Sequence, residues 1–336
     1  MKRLIHGRAL YTEPDKIWIA QGMQFFAIDY NGNLLTSKSS VGSVKQKILS
    51  YFRLSRQLFR QGIHHLLPLK NHDIFLTTKR KSYILSPNGS IKYNFLGYLG
   101  NKPGHQGCCI TPDGAIFFGE YTLNPQRQND THLYRSLDGG KSFQIVLTLD
   151  KKTARHIHFI KHDPYENCLW LGTGDENHEN RLMKSQDNGN TWETVGEGNQ
   201  DWRAIGVCPT KDFLVWGTDA GSVPDQNHIV RMVRKTKKIE IVDNLEGPCH
   251  GCAVLKDGRV LISTGVEGGE NEKDRFARLK IVTENGIENI LMIKKDIWPL
   301  ILQYGVIRFP LGTENTDKLV YTLYGLAGNG ECVYVE

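Results

Sequence analysis

Ser136-Leu137-Asp138-Gly139-Gly140-Lys141-Ser142-Phe143 and Ser185-Gln186-Asp187-Asn188-Gly189-Asn190-Thr191-Trp192 share the pattern Ser-x-Asp-x-Gly-x-x-aromatic, 49 residues apart. Each reads as a hairpin turn. The aspartate accepts hydrogen bonds from the turn's own N–H groups, and Gly140 or Gly189 takes the positive φ that closes it. Phe143 and Trp192 are then placed to pack back between neighbouring sheets. The interval fits one unit of four antiparallel strands, so the pair predicts a repeat architecture.

Other segments follow the same plan, an apolar strand, a tight turn and a second apolar strand. Gln106–Ile110 and Ala115–Gly119 flank Pro112-Asp113-Gly114. Ile157–Ile160 and Cys168–Gly172 flank Asp163-Pro164-Tyr165. Ala204–Val207 pairs with Phe213–Gly217, and Cys252–Leu255 with Arg259–Ser263. First strands begin near His65, His105, His156, Arg203, His250 and Tyr304. An N-terminal unit (Lys16–Ala20, Phe25–Asp29) brings the expectation to a seven-bladed all-β propeller of four-stranded antiparallel blades, with six blades the alternative. Glu331–Val335 would be completed by Lys2–Ile5 or Arg8–Tyr11, which removes exposed strand edges. One domain, 1–336, is expected.

The Ser-x-Asp-x-Gly-x-x-aromatic turns resemble the Asp-box, or BNR repeat, of sialidase-like β-propellers. Arg155-His156-Ile157-His158-Phe159 and Leu171-Gly172-Thr173-Gly174-Asp175 resemble a blade of bacterial proteins of that kind. The resemblance is closest over residues 100–265. It implies a scaffold role for the boxes and tilts the expected ligand toward a glycan. A true sialidase would carry an arginine triad and an early Arg-Ile-Pro segment. That segment is absent, and Arg308-Phe309-Pro310 stands late in the chain.

Composition agrees with a turn-rich fold, with 34 glycines among 336 residues. The net charge of +6 is modest, so a nucleic-acid partner is not expected. The seven cysteines are odd in number and sit in apolar runs, which reads as buried thiols of a cytoplasmic monomer. Cys249-His250-Gly251-Cys252 lacks a second pair for zinc. The N-terminus carries no apolar stretch of the signal-peptide kind. Residues 44–61 read as one inserted amphipathic helix. Ile48, Phe52, Ser55 and Phe59 form its stripe, Tyr51, Leu54 and Leu58 broaden it, and Lys45, Lys47, Arg53, Arg56 and Arg60 surround it. It would pack on the propeller or contact a protein partner or a membrane surface.

In this fold the starts of first strands and the ends of second strands converge on one end. His105, Glu120, His156, Asp175, Arg203 and His250 would therefore line a central funnel. Catalytic candidates are His156, Asp175, His250, Glu120 and Arg203. Substrate-binding candidates are His105, Trp202, Tyr304, Arg155 and Glu176. Two carboxylates suit glycoside hydrolysis. Histidine with arginine and tyrosine suits β-elimination on a uronic acid. Trp202 beside Arg203 suits sugar stacking without catalysis. The expected function is recognition of an acidic oligo- or polysaccharide, with processing by a lyase or hydrolase, or a role as protein-binding scaffold, as alternatives. No cofactor is demanded, and a divalent metal is left open.

Overall fold

The computed structural model describes residues 2–96, 98–221, 226–270, 272, 274–283, 286–327 and 331–336. They build antiparallel sheets, and the chain separates into two compact units. The first comprises residues 1–66, 221–227 and 243–336, and the second residues 67–220 and 228–242.

In the second unit, three sheets repeat the four-stranded meander. Their strands are Cys108–Ile110, Ile116–Gly119, Thr131–Ser136 and Gln144–Leu149; then Ile157–Asp163, Cys168–Thr173, Arg181–Ser185 and Glu193–Glu197; then Cys208–Pro209, Phe213–Gly217, His228–Val233 and Ile239–Asn244. A further sheet runs through His65–Pro68, Ile74–Thr78, Lys81–Leu85 and Ile91–Leu96, its first strand spanning the division between units. The expected hairpins are present within a few residues. Ala204–Val207 is a difference. The strand lies at Cys208–Pro209, because Gln200–Trp202 forms a 3-10 turn and Ala204 makes only an isolated bridge to Thr218.

Both Ser-x-Asp turns have the same hydrogen bonding. Ser136 Oγ donates to Asp138 (2.8 Å) and accepts from Gly140 N–H (2.8 Å), while Asp138 also accepts from Ser142 N–H (3.0 Å) and hydroxyl (2.7 Å). Ser185, Asp187, Gly189 and Thr191 repeat this at 2.9, 2.8, 2.8 and 2.7 Å. The left-handed conformation spans two residues in each, Gly139-Gly140 and Asn188-Gly189. Glycine is needed for contact as well as for φ. A Cβ on Gly140 would lie 2.3 Å from Ile84, and one on Gly189 2.8 Å from Phe117, each on the preceding sheet. Phe143 packs on Phe75, Phe95 and Phe118 with centroids 5.2–6.0 Å apart, so its expected place between sheets is observed.

Asp163, fully buried, organises the next turn. It accepts from Tyr165 N–H (2.9 Å), Trp170 Nε1 (2.9 Å) and the buried Arg234 guanidinium (2.6 Å).

The first unit holds the sheet Arg8–Thr12, Ile17–Gln21, Gln24–Ile28 and Ser39–Ser40. It also holds an eight-stranded sheet of two four-stranded halves. In one half Cys249–Val254, Val260–Val266, Phe276–Thr283 and Gly286–Lys294 follow in order. In the other, Gly305–Arg308, Val320–Tyr324 and Glu331–Val335 are completed by Lys2–His6. Gly265 pairs with Val306 to join them. Of the two N-terminal segments expected to close that sheet, Lys2–His6 does so and Arg8–Thr12 pairs with Ile17–Gln21.

The single helix expected over 44–61 is instead two, α1 (Val44–Tyr51) and α2 (Arg53–Phe59). Phe52 is extended (φ −84°, ψ 140°) and breaks the helical ladder. The broken end is satisfied by side chains. Ser55 donates to Leu49 O (2.7 Å) and Arg56 to Ser50 O (3.0 Å). Arg56 is buried against Glu331 (3.3 Å), so it belongs to the core rather than to a basic periphery.

Removing one partner of a buried ion pair strands the other's charge. Asp163→Ala is expected to lower unfolding free energy by about 3–5 kcal/mol, measured by urea denaturation. The turn aspartates give an acid dependence. Thr191's hydroxyl and N–H hold Asp187 down at about 2. At Asp138 slight burial acts upward, but Ser142 and Ser136 outweigh it, again giving about 2. Both values are depressed on folding. Their contribution is therefore complete above about pH 4 and is lost as pH falls toward 2. An Asp138→Asn, Asp187→Asn double variant should show a flatter decline in stability across that window.

Candidate functional site

Strand Ile157–Asp163 and its neighbour Cys168–Thr173 are out of step by one residue. Ile157 pairs with Thr173 and Phe159 with Gly172, so His158 is the extra residue of a β-bulge. A bulge turns its side chain off the regular alternation. His158 lies against His156, with Nε2 atoms 2.9 Å apart and ring centroids 4.8 Å apart. Both rings are buried. Asp175, just beyond the second strand, places Oδ1 3.5 Å from His156 Nε2 and 3.4 Å from His158 Nε2. Gly174 makes this approach possible, since a Cβ there would sit 2.5 Å from Asn180 Oδ1 and 3.1 Å from His158 Cε1.

The opposite edges of the two rings fix their protons. His156 Nδ1 faces Thr122 O at 2.8 Å and His158 Nδ1 faces Ala204 O at 3.0 Å. Carbonyl oxygens only accept, so both Nδ1 atoms carry hydrogen. In neutral rings both Nε2 atoms then present bare lone pairs to one another. Only a cation between them satisfies that arrangement, either a shared proton or a metal ion. The three ligand atoms of His156, His158 and Asp175 lie within 4.8 Å of one another. Burial lowers the pKa of His158 and so favours its neutral form. Burial acts to raise that of Asp175, but the two imidazoles beside it outweigh burial and hold the group well below the ordinary carboxylate range.

Around this centre runs a belt of alternating charge. Arg203 donates to Asp175 Oδ1 (2.8 Å) and to its main-chain oxygen (3.1 Å), and lies 3.6 Å from Asp219. Arg155 lies 3.6 Å from Asp175, 2.5 Å from Glu176 and 3.1 Å from Glu179. Arg127 pairs with Glu179 and stands 3.7 Å from Glu176. Glu179 is fully buried, whereas the Glu176 side chain is 58% exposed. Tyr121 stacks on His156, centroids 4.2 Å apart, and is half-exposed.

Of the residues expected at the site, His156, Asp175, Arg203, Arg155 and Glu176 are brought together. Glu120 serves another group. It is fully buried, and its carboxylate accepts from Leu99 N–H (2.6 Å), His132 N–H (2.9 Å) and the Tyr134 hydroxyl (3.2 Å), with His132 Nδ1 at 3.0 Å. Trp202 stacks on Trp216, centroids 5.8 Å apart, and packs over Gly196. His105 is half-buried ahead of strand Cys108–Ile110. His250 and Tyr304 belong to the first unit. There His250 Nε2 lies 2.8 Å from Glu267, with the Tyr304 ring 6.3 Å from its own.

His250 also occupies a bulge, between Cys249↔Thr264 and Gly251↔Ser263. It therefore corresponds to His158 rather than to His156. Thr264-Gly265 repeats Thr173-Gly174, and a Cβ on Gly265 would lie 2.0 Å from the His250 ring. His158, Glu179 and Tyr121 were not among the expected site residues. The signal for His158 was its i, i+2 relation to His156, which puts both on one face of a strand.

No protein-family model matches the chain, and no curated protein matches it. Among solved structures, streptogramin B lyase matches with a TM-score of 0.62 at 16% identity, over 100% of this chain and 94% of that one. The WD40 β-propeller domain of Doa1 gives 0.58 at 9%, over 100% and 94%. The GH74 enzyme of Niastella koreensis gives 0.59 at 13%, over 99% and 53%. The fold is a β-propeller. These identities carry the fold alone.

Gly174→Ala is expected to destabilise the protein by about 1–3 kcal/mol, since the added carbon meets Asn180 Oδ1, His158 and Arg203 together. Denaturant unfolding gives the loss, and NMR of the ring protons of His156 and His158 should show both displaced.

Proposed function

We propose that the second unit carries a divalent transition-metal centre on His156, His158 and Asp175, and that the centre serves to hold the carboxylate of an acidic carbohydrate. The observation that carries this reading is the convergence of the two Nε2 atoms on a carboxylate oxygen while both Nδ1 atoms are engaged by main-chain carbonyls. That is how proteins orient imidazole ligands. Two nitrogens and an oxygen suit zinc, manganese or iron better than calcium or magnesium. When bound, such an ion supplies Lewis acidity toward a ligand oxygen.

The belt supplies recognition. Glu176 lies on Arg155 and near Arg127 from the solvent side, in the place an external carboxylate would take. A uronic or sialic acid displacing it would keep both guanidiniums paired. Hydrolysis by a carboxylate pair needs one carboxyl kept protonated. Asp175, held ionised by its partners, does not fit that part. The geometry supports binding and charge neutralisation first, and β-elimination as the reaction class that neutralising a uronate carboxylate would assist. The shared turn chemistry and the seven four-stranded runs support placing the chain with seven-bladed Asp-box propellers.

Metal-stripped protein titrated with Zn²⁺ or Mn²⁺ should take up one equivalent and gain thermal stability. His158→Ala and Asp175→Ala should lose at least about tenfold in metal affinity. Arg155→Ala should keep the metal and lose affinity for polyuronate oligosaccharides. Uptake unchanged in His158→Ala, or none in the parent protein, would overturn the metal centre.

A further inference from the structure

The first unit carries an apolar surface that the carbohydrate site does not use. On α1, Val44, Ile48 and Tyr51 recur at intervals of four and three and are 73%, 59% and 78% exposed. Phe52 at the joint is 62% exposed, and Leu54 and Leu58 on α2 are 50% and 56% exposed. A second segment adds Ile297, at 99%, and Ile301, at 87%. Surface apolar residues are ordinarily scattered singly, and a concentration like this marks an interaction site.

The two segments, far apart in sequence, are braced together. Arg53 at the start of α2 donates to Asp296 (2.5 Å) and Gln303 (2.8 Å), and its guanidinium lies 4.2 Å over the Trp298 ring. The apolar side chains thus extend from a fixed platform.

Charge decides the partner. No aspartate or glutamate occurs between Asp29 and Asp73, a stretch that carries Lys38, Lys45, Lys47, Arg53, Arg56, Arg60 and Lys70. Lys45 and Lys47 on α1 and Arg60 at the end of α2 are exposed. Of the carboxylates at the platform, Asp296 is neutralised by Arg53 and Lys295. In the loop that packs Gly268 against Leu300, Glu267 lies on His250 and Glu272 accepts from the N–H groups of Glu267 and Gly268. We propose that α1, α2 and residues 297–301 dock this unit onto an anionic membrane surface.

Exposed isoleucines flanked by Tyr51, Phe52 and Trp298 suit the interfacial layer, where aromatic rings settle at headgroup depth. The lysines and arginine face the phosphates. Helices of eight and seven residues are too short to cross a bilayer, and no described helix is long and apolar enough to do so. The mode is therefore in-plane attachment, with apolar burial and charge attraction acting together.

Co-sedimentation of the full chain with vesicles tests this. The expected result is binding to phosphatidylcholine mixed with phosphatidylglycerol, weaker binding to phosphatidylcholine alone, and weakening by salt. An Ile297→Ser, Ile301→Ser variant and a Lys45→Glu, Lys47→Glu variant should each partition at least about tenfold less, with unchanged melting temperature. These side chains are exposed, so a folded variant is the expected product, and circular dichroism checks it. Absence of binding to the anionic vesicles at low salt would overturn the proposal. So would binding undiminished in both variants. A dimer in light scattering that the isoleucine variant dissolves would assign the surface to a second copy of the chain and overturn it equally.

Discussion

Thr122 and Ala204 each turn a main-chain carbonyl onto the Nδ1 of a buried histidine. A carbonyl oxygen has no proton to give, so the tautomer of both rings is set by the backbone, independently of what enters the site. Everything chemically distinctive about the centre follows from that. The two Nε2 atoms face each other, Asp175 approaches their shared edge, and Arg203 pairs with Asp175. The outer belt of Arg155, Arg127, Glu176 and Glu179 then neutralises itself around a centre of fixed polarity.

The bulge at His158 lets strand geometry supply such a centre. Regular alternation carries successive side chains to opposite faces, and one extra residue changes the aim of a ring without breaking the sheet. The glycine of Thr173-Gly174 clears the space beside it, and the same device recurs at His250 with Thr264-Gly265. In each case the bulged ring meets a carboxylate beyond the second strand, Asp175 in one and Glu267 in the other. The repeat thus extends past the Ser-x-Asp turns to the opposite ends of the strands.

Much of the sheet plan was legible because turn chemistry is local. Asp138 and Asp187 bond within five residues of themselves, so spacing and residue type were enough. The same holds for strands such as Phe213–Gly217 and Glu331–Val335. What was illegible depended on partners distant in sequence. Arg56 sat on the polar side of a helical pattern, yet it is drawn inward by Glu331, and that pull accompanies the break at Phe52. Glu120 had the position of a site carboxylate, but Leu99 and Tyr134 claim it. His158 stands two residues from His156, but its partners Asp175 and the Ala204 carbonyl lie outside its own strand, and nothing local announces them.

The seven cysteines carry a practical consequence. All are buried, and the Cys249 and Cys252 sulfurs, though neighbours, stand 3.7 Å apart, well beyond a covalent bond. Burial pushes the Cys108 thiol up, and it takes Cys168 to about 12. Thiolate is the reactive species, so these sulfurs are poor nucleophiles while the chain is folded. A single cysteine introduced on the surface would therefore outcompete all seven for a maleimide or spin label. The chain can accept a fluorophore or a distance probe at a chosen position with its own thiols left in place.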